Sequence, residues 1–364
     1  MLPCKAVAGD GLRLHGRGKF LSDRRNDDEG AGGDTVRLDD VAREAGVAIS
    51  TVSRALNNPM RVNAKTRNHV RMVAERLGYA GNIAARRLRS GLSRVVLVVT
   101  PPWTDTNVLG PALRAIDHEL MRSGYSMIVG ALAEDRSADP RIINMARGGY
   151  VDGILAITND PPLDGGGLPI LSAGLPSVGL LNDLSRYGVT SLVTTERSGM
   201  RDLTADLIRR GRRHLAFVSG PPSYHNTERE AGFREAIEKS GLPIESVTIE
   251  GDWSYDSGVR AAEQFLALDE RPVAAVLTND RMAIAFIKIL REAGLNVPRD
   301  VAVTGFDDIG AAAYCDPPLT TYRQPMERLG VEGARLLMRL ISGEERGEAV
   351  CHHVAGHIVR RQSG

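Results

Sequence analysis

Residues 41–57, VAREAGVAISTVSRALN, hold two short helical patterns that meet at Gly46, and the second is dense in Ser, Thr, Arg and Asn. Leu38, Val41, Ala42 and Ala45 fall at i, i+3, i+4 and i+7, which predicts a first helix with one apolar stripe that stops at Gly46. A second helix begins near Ile49. Its Val52, Ala55 and Leu56 face inward and leave Ile49, Ser50, Thr51, Ser53, Arg54 and Asn57 outside. Asn63 announces a third helix as its N-cap; Val70, Val73, Ala74 and Leu77 share one face of it, and Gly78 ends it. Three helices this short can share one core. A second helix whose outer face carries hydroxyls, a guanidinium and an amide suits a major groove, where such groups reach base edges and phosphates. The same face would also serve as the solvated side of a helical bundle.

Working outward, the charge distribution favours a polyanion. The 364 residues carry a net charge of only +1, yet residues 35–94 hold 12 basic side chains against 4 acidic ones. From Val95 to the end the balance reverses, 28 basic against 35 acidic. A small basic module on a mildly acidic body points to nucleic-acid contact through the module alone.

The run LDDVAREAGVAISTVSRALNNPMRVNAKTRNHVRMVAERLGYAGNIAARRLRSG, residues 38–91, resembles the DNA-binding headpiece of the lactose-repressor (LacI/GalR) family over its whole length. The resemblance rests on DVA, AGV, TVSR, VNAKTR, LGY and the hinge pattern Asn82-x-x-Ala85-x-x-Leu88. It implies that the second helix enters the major groove with Ile49, Ser50 and Arg54 as base readers, while Thr51, Ser53 and Asn57 help hold the backbone. Two positions depart from the family pattern. Arg37 stands where relatives usually cap the first helix with Thr, so that helix is expected to lack its cap, and Ala48 replaces a Ser. The segment from Asn82 to Arg89 is too short for a stable isolated helix, since helices below about 12 residues are marginal in water. Family resemblance implies that two such hinges pair in the minor groove, with Leu88 wedged into the central base step. From the residues alone the segment also reads as a linker with Leu88 as a docking contact.

Beyond Val95, apolar runs alternate with helical periodicity. RVVLVVT, YSMIVG, DGILAIT, LPILS (168–172) and TSLVTT are candidate strands, followed after a helix by HLAFVSG, SVTIEG, VAAVLTND and VAVTGFDD. Helices are predicted over 111–123, 199–211, 226–240, 257–268 and 280–293. Such alternation means an α/β body with parallel sheets covered on both faces. Ligands of these sheets bind beyond the strand C-termini. Asn279, Asp280, Asp307 and Asp308 follow two of the strands, Arg229 opens a helix, and Trp253 follows VTIEG. A carboxylate and an amide fix hydroxyl groups while an indole covers an apolar face, which suits a polyhydroxylated ligand. Each has a bland alternative: Asp307 as a helix cap, Trp253 as core, Arg229 as an ion-pair partner.

GDWSYDSG, TNDRMA, VPRDVAVTGFDD and PPLTTYRQP resemble the effector-binding core shared by LacI-type repressors and periplasmic sugar-binding proteins. That resemblance implies a periplasmic-binding-protein-like, type I body of two parallel-sheet lobes, crossed three times near Thr194, Tyr322 and His353. It makes Arg229, Trp253, Asn279 and Asp307 the effector contacts, and Asp280 and Asp308 structural. The first lobe conforms less: Val108 and Leu109 replace an aromatic pair, and Thr195 and Glu196 stand where Asp-Asn is common.

The expected organisation is therefore an N-terminal extension over 1–34, a helix-turn-helix domain over 35–80, a hinge over 81–94, and an effector-binding and dimerisation domain over 95–364. Within the last, lobe 1 spans about 95–193 and 323–353 and lobe 2 about 194–322 and 354–364. The expected function is that of a dimeric, cytoplasmic repressor that binds a pseudopalindromic operator in double-stranded DNA and answers to a small-molecule effector, a sugar or related polyhydroxylated metabolite. A corepressor-dependent regulator with a nucleobase-like ligand is the alternative; a solute-binding protein would need a signal peptide, and the N-terminus has no apolar run of that kind. No apolar stretch reaches membrane-spanning length. Cys4, Cys315 and Cys351 form no framework, and Cys351, His352, His353 and His357 lack a second pair with zinc-site spacing, so neither a disulfide nor a metal or other cofactor is expected. An enzyme finds no support: there is no P-loop, no nucleophile elbow and no HExxH.

Overall fold

Apolar spacing at the N-terminal end produces three helices, α1 (Leu38–Ala45), α2 (Ile49–Asn57) and α3 (Ala64–Arg76). The computed structural model describes residues 36–57, 61–79, 91–101, 106–132, 140–158, 171 and 174–364. The extension expected over 1–34 and the hinge residues Asn82, Ala85 and Leu88 lie outside these. Val41, Val52 and Val70, one from each helix, meet fully buried at the centre of the helical core. Gly46 takes a left-handed φ of 64° to end α1, a conformation that costs a side-chain-bearing residue. Asn63 caps α3, its side chain accepting from the Thr66 N–H at 2.8 Å. As expected, the Arg37 side chain provides no cap for α1. The Asp40 carboxylate reaches back to accept from the Arg37 N–H at 2.9 Å, so the acidic residue of the first turn supplies the bond that a Thr hydroxyl would have complemented.

The rest of the chain is a separate unit that contains two six-stranded sheets. The first is built from β1 (Val95–Thr100), β2 (Ser126–Ala131), β3 (Gly153–Ile157), β4 (Ser177–Leu180), β5 (Ser191–Thr194) and β11 (Cys351–Val354), in the order β11-β5-β4-β3-β1-β2. The second takes β6 (His214–Val218), β7 (Glu245–Ile249), β8 (Ala274–Leu277), β9 (Ala302–Asp307), β10 (Thr320–Arg323) and β12 (His357–Val359), in the order β12-β10-β9-β8-β6-β7. Every pairing is parallel except β10 with β12. Helices α4 (Thr106–Arg122), α5 (Pro140–Arg147) and α10 (Met326–Ser342) accompany the first sheet; α6 (Glu196–Arg209), α7 (Tyr224–Ser240), α8 (Tyr255–Leu266) and α9 (Asp280–Glu292) accompany the second. Each sheet is buried on both faces, which is why strands such as VVLVVT and AAVL read as continuous apolar runs.

One expected strand cannot be located among the described residues. LPILS falls outside the described residues except Leu171, and the fourth strand among them is SVGL, residues 177–180. Gly179 explains the weaker signal: a Cβ there would lie 2.6 Å from Ser191 Oγ and 3.0 Å from Leu184, so the approach of β4 to its neighbours requires the residue that lowers its strand score.

The chain passes between the sheets three times, after Thr194, after Arg323 and after Val354. The Tyr322 hydroxyl ties the three passages together. It accepts from the Gly356 N–H at 2.9 Å and shares a hydrogen bond with Thr195 Oγ1 at 3.1 Å. Its ring stacks on Phe306 with centroids 4.9 Å apart, and Gly199 is small because a Cβ there would sit 2.6 Å from that ring. Among the described residues no helix is long and apolar enough to cross a membrane.

Candidate DNA-reading face and effector cleft

Helix α2 turns Val52 and Ala55 into the headpiece core, and that orientation decides what the opposite side presents. Ile49 is 48% exposed, and Ser50 and Arg54 are exposed beside it. Thr51 and Ser53 are half-buried at the edges of this face, and Asn57 is the last residue of the helix. An exposed isoleucine beside a serine and an arginine is an unusual solvated face, because the apolar side chain gains nothing from water. It suits contact with a thymine methyl, as the guanidinium suits guanine and the hydroxyls suit phosphate.

In the body, the strand ends of the second sheet assemble a buried polar cluster. Glu196 opens α6 directly after the first passage between sheets and is 3% exposed. One carboxylate oxygen accepts from Arg229 Nε at 2.9 Å, and the other contacts His225 Nδ1 at 2.6 Å and the Thr194 hydroxyl at 3.1 Å. Burial alone would raise this carboxyl, but Arg229 and His225 outweigh it and pull it down to about 2. Arg229 is 5% exposed and spends its remaining nitrogens on the Thr278 carbonyl at 2.5 Å and on Asp307 Oδ1 at 3.6 Å. Its guanidinium lies 4.1 Å from the centroid of Phe306 and 5.8 Å from that of Trp253. Asp307 also accepts from Gln324 Nε2 at 2.7 Å.

Asn279 caps α9 by accepting from the Met282 N–H at 2.9 Å and donates to the Trp253 carbonyl at 3.0 Å. It thereby holds Trp253, whose φ of 69° is left-handed, with the indole against Gly220, where a Cβ would be 2.0 Å from Nε1. All four residues singled out from sequence, Arg229, Trp253, Asn279 and Asp307, thus belong to one network. Asp280 and Asp308 do not join it. Asp280 accepts from Thr321 Oγ1 and the Ile309 N–H, and burial and then the neighbouring Asp307 push its carboxyl well above the usual range. Asp308 pairs with Arg323 and Arg361.

Among the described residues, polar atoms buried without a hydrogen-bond partner just beyond strand C-termini include Thr158 Oγ1 after β3, Asn182 Nδ2 after β4, Trp253 Nε1 after β7, Thr278 Oγ1 after β8 and Gln324 Oε1 after β10. They come from both sheets and include donors and acceptors. Buried polar atoms are ordinarily satisfied, so a set of them at strand ends is a candidate place for a polar ligand. Glu196, His225 and Gln324 were not visible as site residues in the sequence; Glu196 stood out only as a departure, and nothing in a linear pattern tells that His225 and Arg229 converge on it. Among the described residues no group of His, Cys, Asp and Glu could hold a metal ion.

Residues 37–82 match the model for bacterial regulatory proteins of the lacI family, and residues 204–364 match that for the periplasmic binding protein-like domain. Over 346 residues the chain is 33% identical to the HTH-type transcriptional regulator CelR of Thermobifida fusca, spanning 90% of this chain and 98% of that one. This chain belongs to the LacI family. The solved complex of the transcriptional regulator CelR with cellobiose aligns with a TM-score of 0.66 at 30% identity, covering 90% of this chain and all of that one. The lac repressor dimer bound to operator and the anti-inducer ONPF aligns at 0.75 with 26% identity, covering 91% and 99%. As a LacI-family member the protein is a DNA-binding transcriptional regulator, not an enzyme, and it pairs a helix-turn-helix headpiece with a periplasmic-binding-like effector domain.

Proposed function

We propose that the protein is a dimeric repressor that binds a pseudopalindromic operator and releases it when a small-molecule effector, a sugar or related polyhydroxylated metabolite, enters the cleft between its two lobes. Two-fold protein symmetry then reads two-fold operator symmetry, one half-site per headpiece. Ile49, Ser50 and Arg54 read bases, and Thr51, Ser53 and Asn57 hold phosphates. The hinges carrying Asn82, Ala85 and Leu88 pair at the operator centre, with Leu88 as the wedge. Lobe 1 comprises about 95–193 and 323–353, lobe 2 about 194–322 and 354–364, and Arg229, Trp253, Asn279 and Asp307 contact the effector. Relatives in complex with cellobiose and, as a dimer, with operator support the reading by analogy.

The observation that carries the effector site is the set of orphaned buried polar atoms beyond the strand ends of both sheets, three of them on residues that touch Arg229 or Asp307: Trp253, Thr278 and Gln324. The test is a thermal-shift screen of the full chain against monosaccharides, disaccharides, polyols, nucleosides and nucleobases, followed by operator release with each hit. A ligand at about 100 times its Kd adds about 2.7 kcal/mol of stability. Asp307→Ala should abolish both the shift and the release while operator binding persists. An unchanged response in that variant removes Asp307 from the site, and a hit that tightens operator binding reverses the sign of the mechanism.

A further inference from the structure

Among the described residues, the buried guanidinium of this cluster is already taken. Arg229 directs Nε to Glu196 at 2.9 Å, one terminal nitrogen to the Thr278 carbonyl and the other towards Asp307, and its flat face lies on Phe306. A guanidinium is the group that would receive a phosphate or carboxylate in bidentate fashion, and here its donors point at protein acceptors. We propose that Glu196 commits this cleft to neutral or cationic effectors and excludes anionic ones such as sugar phosphates and uronic acids. The inference rests on the effector reading above and names the chemical class that reading leaves open.

Four observations carry it. Glu196 and Asp307 bracket Arg229, so the guanidinium already faces a carboxylate on two sides. An anion that displaced Glu196 would leave a carboxylate 3% exposed with only His225 and Thr194 as partners, a burial that charge repels. Acidic groups also extend to the first lobe: the Tyr224 phenol, at the start of α7, is driven up to about 12 by burial and then by Glu228, Glu196, Cys351 and Asp183, and Asp183 follows β4 of the other sheet. Among the described residues, five of the buried atoms without a hydrogen-bond partner near the strand ends are uncharged: an amide N–H on Asn182, an indole N–H on Trp253, hydroxyls on Thr158 and Thr278, and an amide carbonyl on Gln324. These suit hydroxyl and amine groups.

The experiment compares inorganic phosphate with chloride at matched ionic strength, by thermal shift on the full chain, in wild type, Glu196→Gln, Arg229→Gln and the double variant. The wild type should gain no more from phosphate than Arg229→Gln does. Glu196→Gln, which releases Arg229 Nε from its charged partner, should bind phosphate at least about tenfold more tightly, and the double variant should lose that gain. Phosphate stabilisation of the wild type that disappears in Arg229→Gln overturns the proposal, as does a folded Glu196→Gln that gains nothing. If Glu196→Gln fails to fold, the wild type decides alone through matched pairs of compounds, glucose with glucose 6-phosphate and glucuronate, cellobiose with cellobionate, and likewise for other scaffolds in the screen. An operator-releasing compound that is anionic overturns the proposal and leaves the effector reading standing. A neutral or amino compound whose phosphorylated counterpart is inert supports both. A complete screen with no response of either charge removes the effector reading itself.

Discussion

Replacing Glu196 by Gln also tests how the buried cluster holds the body together. Its carboxyl falls from an ordinary 4.5 to about 2 on folding, because Arg229 and His225 outweigh the cost of burial. At about 1.4 kcal/mol for each pH unit, that difference is worth about 3 kcal/mol of folding stability at pH 7. Because the folded-state value is the lower one, the stabilisation is complete above the unfolded value of 4.5 and is lost as the pH falls through the folded value near 2. Glutamine, an uncharged isostere, stands in for the protonated acid. The gap between wild type and Glu196→Gln should therefore be about 3 kcal/mol at pH 7 and narrow to about 2 kcal/mol at pH 3.5. Urea unfolding followed by tryptophan fluorescence reports this directly, since both tryptophans, Trp103 and Trp253, belong to the body and the headpiece has none. A gap below about 1 kcal/mol at pH 7, or one that stays constant down to pH 3.5, would refute the account of Glu196 as an ionised, well-paired buried group.

Three further outcomes are expected. Arg54→Ala should cost about 1–3 kcal/mol at one operator position and relax the preference there in a selection from random duplexes, whereas an equal loss on every sequence would make Arg54 a phosphate contact only. Tyr322→Phe removes the hydroxyl shared by Thr195 and Gly356 and should destabilise the body by about 1–3 kcal/mol; an unchanged urea midpoint would mean that water replaces the clasp without loss. Asn63→Ala takes the cap from α3 and should cost the headpiece about 1 kcal/mol, measured by helical circular dichroism on thermal unfolding, and a melting point identical to wild type would contradict it.

Local pattern accounts for most of what was legible beforehand. The three headpiece helices, their stops at Gly46 and Gly78 and the Asn63 cap follow from periodicity and from backbone preferences of single residues, and the alternation of apolar strands with helices gave the body its class. The exposure of Ile49, Ser50 and Arg54 was equally readable, because the apolar stripe of a helix leaves the complementary face by elimination. SVGL escaped notice because its Gly answers to a neighbouring strand, and the bond from the Arg37 N–H to Asp40 escaped because a first-turn aspartate can serve the helix dipole or that N–H without any difference in sequence.

The amino-acid sequence by itself determined most of the helical and strand segments, which module is basic, and which family motifs the chain carries, since each of these depends on neighbours within a turn or a strand. Only the tertiary structure decided that Glu196, 29 residues from His225 and 33 from Arg229, closes an ion-pair cluster with them, and that Tyr322 joins three passages spread from Thr195 to Gly356. The physical reason is that a charge's meaning lies in its surroundings. The same glutamate on a solvated helix would bind nothing firmly, whereas buried beside a guanidinium it is held ionised and determines what else the cleft can admit.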